Sequence, residues 1–354
     1  MNLKVKNHFD VEFFNEFTLD LKYDSVGSTF SFSLFFDPDN TEHKFLWQPG
    51  HYHQCDVEHN GELLLRGWIL SQKFGSASSK QLSSVSGYSL PGVLEDCQIP
   101  PQLYPLQSDG RTLRDIASRL CSYFGINIVI DPSVSAKVNS VFDKTTASET
   151  STIKQYLTSI ASQKNIVLSH TNKGELLFTQ AKANRSSSYF FSDNTPSTEM
   201  SLTFNGQPMH SHITLQKQAS AEGGNAGEST VRNPYVPFAK RPKVKSQTSG
   251  TDNDTGDASR KALSEELKNI VLTITTSTWE IDGEIIKPNN IVTVQNAELY
   301  LPKPTDWFIE SISFKGNEKE TTAVLTCVLP EVYNNGAVVN IFEEMFDWRT
   351  LRTH

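Results

Sequence analysis

Up to Leu90 the chain is a succession of short runs in which apolar and polar side chains alternate, at 13–23, 29–36, 52–58, 63–74 and 81–89. Period-two alternation predicts half-buried β-strands. Turn sequences separate the runs: Asp37-Pro38-Asp39-Asn40, Gln48-Pro49-Gly50 and His59-Asn60-Gly61. Asn-Gly between two strand-like runs is the strongest short-range hairpin signal. Strands at this spacing predict a small barrel or sandwich over residues 1–94.

The period then changes. After the proline-rich stretch 99–105, Leu113, Ile116, Ala117, Leu120 and Phe124 recur at helical spacing, and Gly125 stands where a helix-terminating glycine belongs. A strand is predicted at 126–130. A second helix follows on Ile153, Tyr156, Leu157, Ile160 and Ala161; Asn165 ends it, and a hairpin over Asn172-Lys173-Gly174 joins strands at 166–170 and 175–180. Residues 95–180 therefore form an α+β insert. Strand texture returns at 201–204 and 212–215, gives way over 218–257 to a long polar loop that is either disordered alone or ordered by a partner it faces, and resumes after a helix near 258–269 with strands at 271–279, 291–294, 307–314 and 321–329. The predicted second β-domain is 181–330, and 331–354 forms a docking tail.

The two β regions share a spacing. Pro49 precedes Trp68 by 19 residues, Pro288 precedes Trp307 by 19 residues, and an aromatic residue closes each tryptophan-bearing strand. A duplicated barrel accounts for both.

Composition narrows the function classes. No apolar run approaches the length of a membrane-spanning helix. The first ten residues lack an apolar core and a cleavage site, so no secretory signal is expected. A net charge of −8 has the wrong sign for gripping phosphate backbones. The four cysteines stand far apart, without a Cys-x-x-Cys pair, and are expected as reduced, packed thiols.

The sequence is similar to the baseplate hub protein of Mu-like contractile-tail phages, the 43 kDa tail protein type, and in plan to the hub part of type VI secretion spikes. The residues that carry the resemblance are Trp47, Pro49 and Gly50, Gly61 after Asn60, Gly67 and Trp68 within Leu65-Arg66-Gly67-Trp68-Ile69, and the helix from Thr112 that ends at Gly125. Asn205-Gly206 before the strand 212–215, Pro288 and Asn289, and Trp307 complete the series. The resemblance implies a mainly β fold with an α+β insert, in which two related β-barrel domains per chain form a pseudo-sixfold ring in a homotrimer. Such a ring adapts a sixfold tail tube to a threefold spike and encloses the DNA channel. The implied partners are a second and third copy of the chain, tube or distal tail proteins, the central spike, and DNA only in passage. Its place is the virion tail baseplate, reached through the host cytoplasm during assembly. It implies no membrane insertion, no cofactor and no catalysis.

Local chemistry is sparse. In 51–59, His51, His53, Cys55 and His59 fall on one face of an expected strand, and an H-x-H pair there can chelate zinc if a third ligand arrives; Val57 on the same face favours barrel core instead. His210 and His212 form a second, weaker pair. The stretch 252–257 fails as a calcium loop because Leu263 stands where the bidentate glutamate belongs. No G-x-S-x-G, P-loop, G-x-G-x-x-G or H-E-x-x-H occurs. Glu343, Glu344 and Asp347 are the densest acidic group and would serve a tail-associated peptidoglycan hydrolase, but their alternation with Phe342, Met345 and Phe346 reads as an amphipathic segment that docks on a neighbour. A carbohydrate-binding protein would use Trp47 or Trp68 as a platform. The run Lys240 to Lys245 reads as a solvated loop or a contact for an acidic partner or nucleic acid.

Overall fold

The computed structural model describes residues 1–5, 10–11, 14–76, 82–195, 198–217, 227–237, 240–247, 255–317, 319–334 and 337–345. The chain divides into two compact units, Met1–Gln180 with Ser311–Ala323, and Ala181–Glu310 with Val324–His354. The fold is mainly β, built on antiparallel pairing, with helices concentrated in the insert.

The first unit opens with β1 (Asn2–Val5), β2 (Glu16–Lys22), β3 (Thr29–Phe35), helix α1 (Thr41–Leu46), β4 (Gln54–His59), β5 (Glu62–Phe74) and β6 (Leu82–Ser89). Their order in the sheet is β2-β3-β6-β5-β4-β1, every neighbour antiparallel. Alternation decides the faces: Phe17, Leu19 and Leu21 of β2 and Phe30, Phe32 and Leu34 of β3 are buried, with Phe17 opposite Phe32 and Leu19 opposite Phe30. Each such side chain contributes about 1.5–3 kcal/mol of burial.

The insert contains α2 (Leu113–Ser122), β7 (Ile128–Ile130), α3 (Ile153–Ser162), β8 (Val167–His170) and β9 (Leu176–Thr179). It uses one local design twice. Thr112 and Thr152 each cap a helix in a reciprocal capping box, with Asp115 and Gln155. Each helix ends on a left-handed residue, Gly125 (φ +67°) or Asn165 (φ +52°), and the next amide, Ile126 or Ile166, donates back at 3.1 Å to Cys121 O or Ala161 O. The sheet order is β8-β9-β7, with β9 parallel to β7. The predicted helical stripe packs over it: Leu113, Ile116, Ala117, Leu120, Ile153, Leu157 and Phe178 form one core.

The second unit contains β10 (Tyr189–Ser192), β11 (Thr198–Phe204), β12 (His212–Lys217), β13 (Gly227–Arg232), β14 (Pro242–Gln247), α4 (Thr255–Leu267), β15 (Ile270–Thr276) and β16 (Ile291–Asn296). It also takes the part of β17 (Leu301–Asn317) before Ser311 and the part of β18 (Thr321–Val328) after Ala323. Its order is β11-β15-β18-β17-β16-β10, the order of the first unit member by member. One polarity differs: β1 runs antiparallel to β4, whereas β10 runs parallel to β16.

Two expectations change. Among the described residues neither strand order closes into a barrel; in the first unit the outer edge of β2 is hydrogen-bonded by Ser311–Asn317 of β17, so it is not available to β1. The excursion at 218–257 is not one loop either. β13 and β14 lie inside it and flank β12, antiparallel and parallel respectively. Residues 218–226 and 248–254 lie outside the described residues.

Candidate functional site

Most of the residues singled out by the sequence lie in two turn-and-strand stretches, one in each unit, while Gly125 ends α2 in the insert. In the first, the Asn40 side chain accepts the Glu42 and His43 amides at 2.8 and 3.3 Å and so caps α1, and Trp47 closes that helix with its amide on His43 O at 3.0 Å. Trp47 is buried; Pro49 and Gly50 stand exposed beyond it. Gly50 has φ +87° and turns the chain into β4. Asn60 and Gly61, both at positive φ, make the predicted tight hairpin into β5.

Gly67 lies opposite Ser89 on β6, and a Cβ there would overlap the Tyr88 carbonyl. Close backbone approach, not turn geometry, dictates glycine at this position. Its neighbour Arg66 makes a two-pronged pair with Asp56 directly across from it on β4, Nε to Oδ1 and Nη2 to Oδ2 both at 2.7 Å. Trp68 sits opposite Gln54 and is half-buried.

The second stretch repeats the plan with different chemistry. Asn289 follows Pro288 with φ +63°, and its Oδ1 accepts the Lys182 amide at 2.8 Å. Trp307 lies opposite Val292 of β16. Trp307, Phe308 and Ile309 are all fully buried, so this strand is covered on both faces where β5 is covered on one.

The metal candidates separate. His51 and His53 precede β4 rather than lying on it; their rings meet at 5.7 Å and both flank Phe45. Cys55 is fully buried, and burial followed by the nearby Asp56 charge pushes its thiol far up. His59 lies past a register shift in β4. Among the described residues no three His, Cys, Asp or Glu side chains gather as a metal site. The four cysteines are free thiols, and burial pushes that of Cys121 up to about 12.

Residues 91–180 match the family model described as baseplate hub protein gp44-like, second domain. The insert is thus similar to the second domain of gp44-like baseplate hub proteins. The whole chain has the fold of phage tail proteins. It is similar to the 43 kDa tail protein of prophage MuSo2 from Shewanella oneidensis, with 20% identity and a TM-score of 0.79 over 94% of this chain and 99% of that one. It is similar to the tail protein from Neisseria meningitidis MC58, with 20% identity and a TM-score of 0.76 over 94% and 98%. The E. coli c3393 protein, a component of the type VI secretion system, shares the fold at 8% identity and a TM-score of 0.57, over 97% of this chain and 80% of that chain. No curated protein matches the sequence.

In the second unit, sequence reasoning missed a buried acidic anchor. Glu266 of α4 is buried and receives Lys243 Nζ at 2.9 Å, the His210 amide at 2.8 Å and His210 Nδ1 at 2.8 Å. Burial alone would push its carboxyl up; the hydrogen bonds from Lys243 and His210 outweigh that and hold it below the ordinary 4.5. Arg241 donates to the carbonyls of Gly206 and Gln207. Part of the basic run is thus internal structure and not a solvated loop. The tail also docks at home: Phe342 packs at 6.1–6.2 Å from the rings of Tyr235 and Phe204, and the Tyr235 hydroxyl donates to Val339 O and accepts the Ile341 amide. Glu343 is exposed, while Asp347, Phe346 and the side chain of Glu344 lie outside the described residues.

Proposed function

We propose that the chain is a structural hub of a contractile-tail baseplate. Three copies form a ring whose two related domains per chain present a near-sixfold face to the tail tube and a threefold face to the spike, around a channel for DNA. The observation that carries this reading is the repeated strand order, β2-β3-β6-β5-β4-β1 and β11-β15-β18-β17-β16-β10, in a chain whose insert matches a hub family. Two like domains in each of three chains supply six like surfaces, which reconciles a ring of six with a ring of three. A chain of net charge −8 also suits a wall past which DNA must slide without lasting contact. The role is architectural, and no residue is assigned a catalytic part. The ring is assembled in the host cytoplasm and carried in the virion baseplate.

Absolute mass by light scattering tests this. A mass about three times 39.6 kDa that survives dilution supports the ring. A persistent monomer, alone and with purified tube and spike proteins, overturns it.

A further inference from the structure

The two strand orders agree member by member, but one connection does not. In the first unit residues 23–28 join β2 to β3; in the second, residues 205–269 join the equivalent β11 to β15 and include β12, β13, β14 and α4. We propose that this insertion is the surface by which the assembled hub recognises a threefold protein partner with an acidic contact face, the spike. The inference rests on the trimeric-hub reading and deepens it.

Symmetry supplies the first step. In a ring of three chains, a feature carried by both repeats is presented six times and a feature carried by one repeat three times. A sixfold tube can match the shared sheets. A threefold partner needs something present once per chain, and the insertion at 205–269 is such an element.

Its described residues are folded. Ile213 and Leu215 of β12 are buried, as are Ala262, Leu263 and Leu267 of α4, and the Glu266 cluster ties α4 to β14 through Lys243. A rigid element can hold a contact surface in place at low entropic cost.

Charge supplies the second step. The α+β insert is also present once per chain, but residues 95–180 carry eight acidic and eight basic side chains. Residues 227–247 carry five basic side chains against Glu228 alone, in a chain of net −8. Two of the five are committed internally, Lys243 to Glu266 and Arg241 to backbone carbonyls. Arg232 and Lys240 are exposed, and Val244, which shares a sheet face with Arg232 through the register on His212 and Thr214 of β12, is 61% exposed; Lys245, in register with buried Leu215, leaves from the α4-covered face. An exposed apolar residue among outward cations fits a protein surface rich in carboxylates. Bare phosphate would use the same cations, so duplex DNA is the control.

The test uses the full chain and the purified trimeric spike of the same tail, at about 50 and about 200 mM salt. The parent is expected to form a hub–spike complex that weakens with salt. R232E/K240E is expected to keep the hub's own trimer mass and to bind the spike at least tenfold more weakly at the lower salt. If reversal unfolds the insertion, R232Q/K240Q, which is milder, is expected to lose threefold or more. Spike binding unchanged in a folded variant overturns the proposal, as does loss of duplex DNA binding with the spike retained. Failure of the hub reading looks different: the parent itself stays at 39.6 kDa, with or without the spike.

Discussion

Gly50 and Asn289 occupy the same left-handed region of backbone space, at φ +87° and +63°, each immediately after a proline and each leading into a strand paired with a tryptophan-bearing strand. The two positions are solved by different residues because only one has a side-chain task. Asn289 holds the Lys182 amide, whereas nothing lies within 4 Å of where a Gly50 side chain would begin. Asn is the non-glycine residue that best tolerates this region. Gly50→Asn is therefore expected to change stability by less than about 0.5 kcal/mol, and Asn289→Gly to cost about 1 kcal/mol for the lost hydrogen bond. Urea unfolding midpoints check both, and equal costs would refute the division of roles.

Gly67 behaves differently although it too is glycine in a repeated motif. Its backbone is extended, and a methyl group there meets the Tyr88 carbonyl. Gly67→Ala is expected to destabilise the first unit by about 2 kcal/mol or more through overpacking. Gly125→Ala has open space around it and a φ of +67°, so only backbone strain of about 1 kcal/mol is expected. Thermal unfolding of the two variants side by side ranks the effects.

Glu266 makes the second unit sensitive to acid. Its carboxyl titrates lower in the folded protein than its ordinary 4.5, with Lys243 and His210 as the facing groups. The stabilisation it supplies is complete above the unfolded value and is lost as pH falls through the folded one. Glu266→Ala is expected to cost about 1–2 kcal/mol at neutral pH, because the His210 amide loses its acceptor and the partly exposed Lys243 loses its partner. Melting temperatures across the acid range check the sign: Glu266→Gln should flatten the fall below pH 4.5 relative to the parent.

The Tyr235 hydroxyl holds the segment 339–341 in place by donating to Val339 O at 3.1 Å and accepting the Ile341 amide at 3.3 Å. Tyr235→Phe keeps the ring against Phe342 and removes both bonds. A loss of about 1 kcal/mol is expected. Amide exchange should accelerate at Ile341 and leave the amides of β15 unchanged.

Arg66 and Asp56 lie on the surface side of β4 and β5, with side chains about a third and a quarter exposed. Solvent screening limits the pair in spite of its two 2.7 Å bonds. Arg66→Ala is expected to cost about 1 kcal/mol, with more of it lost at low salt than at high salt. A salt-independent cost would show that packing of the arginine stem, not charge, accounts for it.

Local signals determined much of this protein. Period-two alternation placed β2, β3 and β5, and the helical stripe from Leu113 to Leu120 with Gly125 placed α2 and its end, because in both cases one face meets a core and the other meets water. Asn60-Gly61 set its hairpin because its backbone conformation needs no distant partner. The repeat was legible in the equal spacing from Pro49 to Trp68 and from Pro288 to Trp307. What that spacing could not carry was the unequal burial of the two tryptophans, which depends on how many faces of each strand are covered. Tertiary structure alone decided β13 and β14. Their residues, Gly227–Arg232 and Pro242–Gln247, are mostly polar, and they are strands because β12 offers hydrogen bonds on both of its edges, with α4 packed alongside. It also decided that Glu266 would be a buried anchor. Nothing in the sequence around Glu266 shows that a lysine and a histidine from distant positions will converge on it, since that convergence is a property of the packed chain.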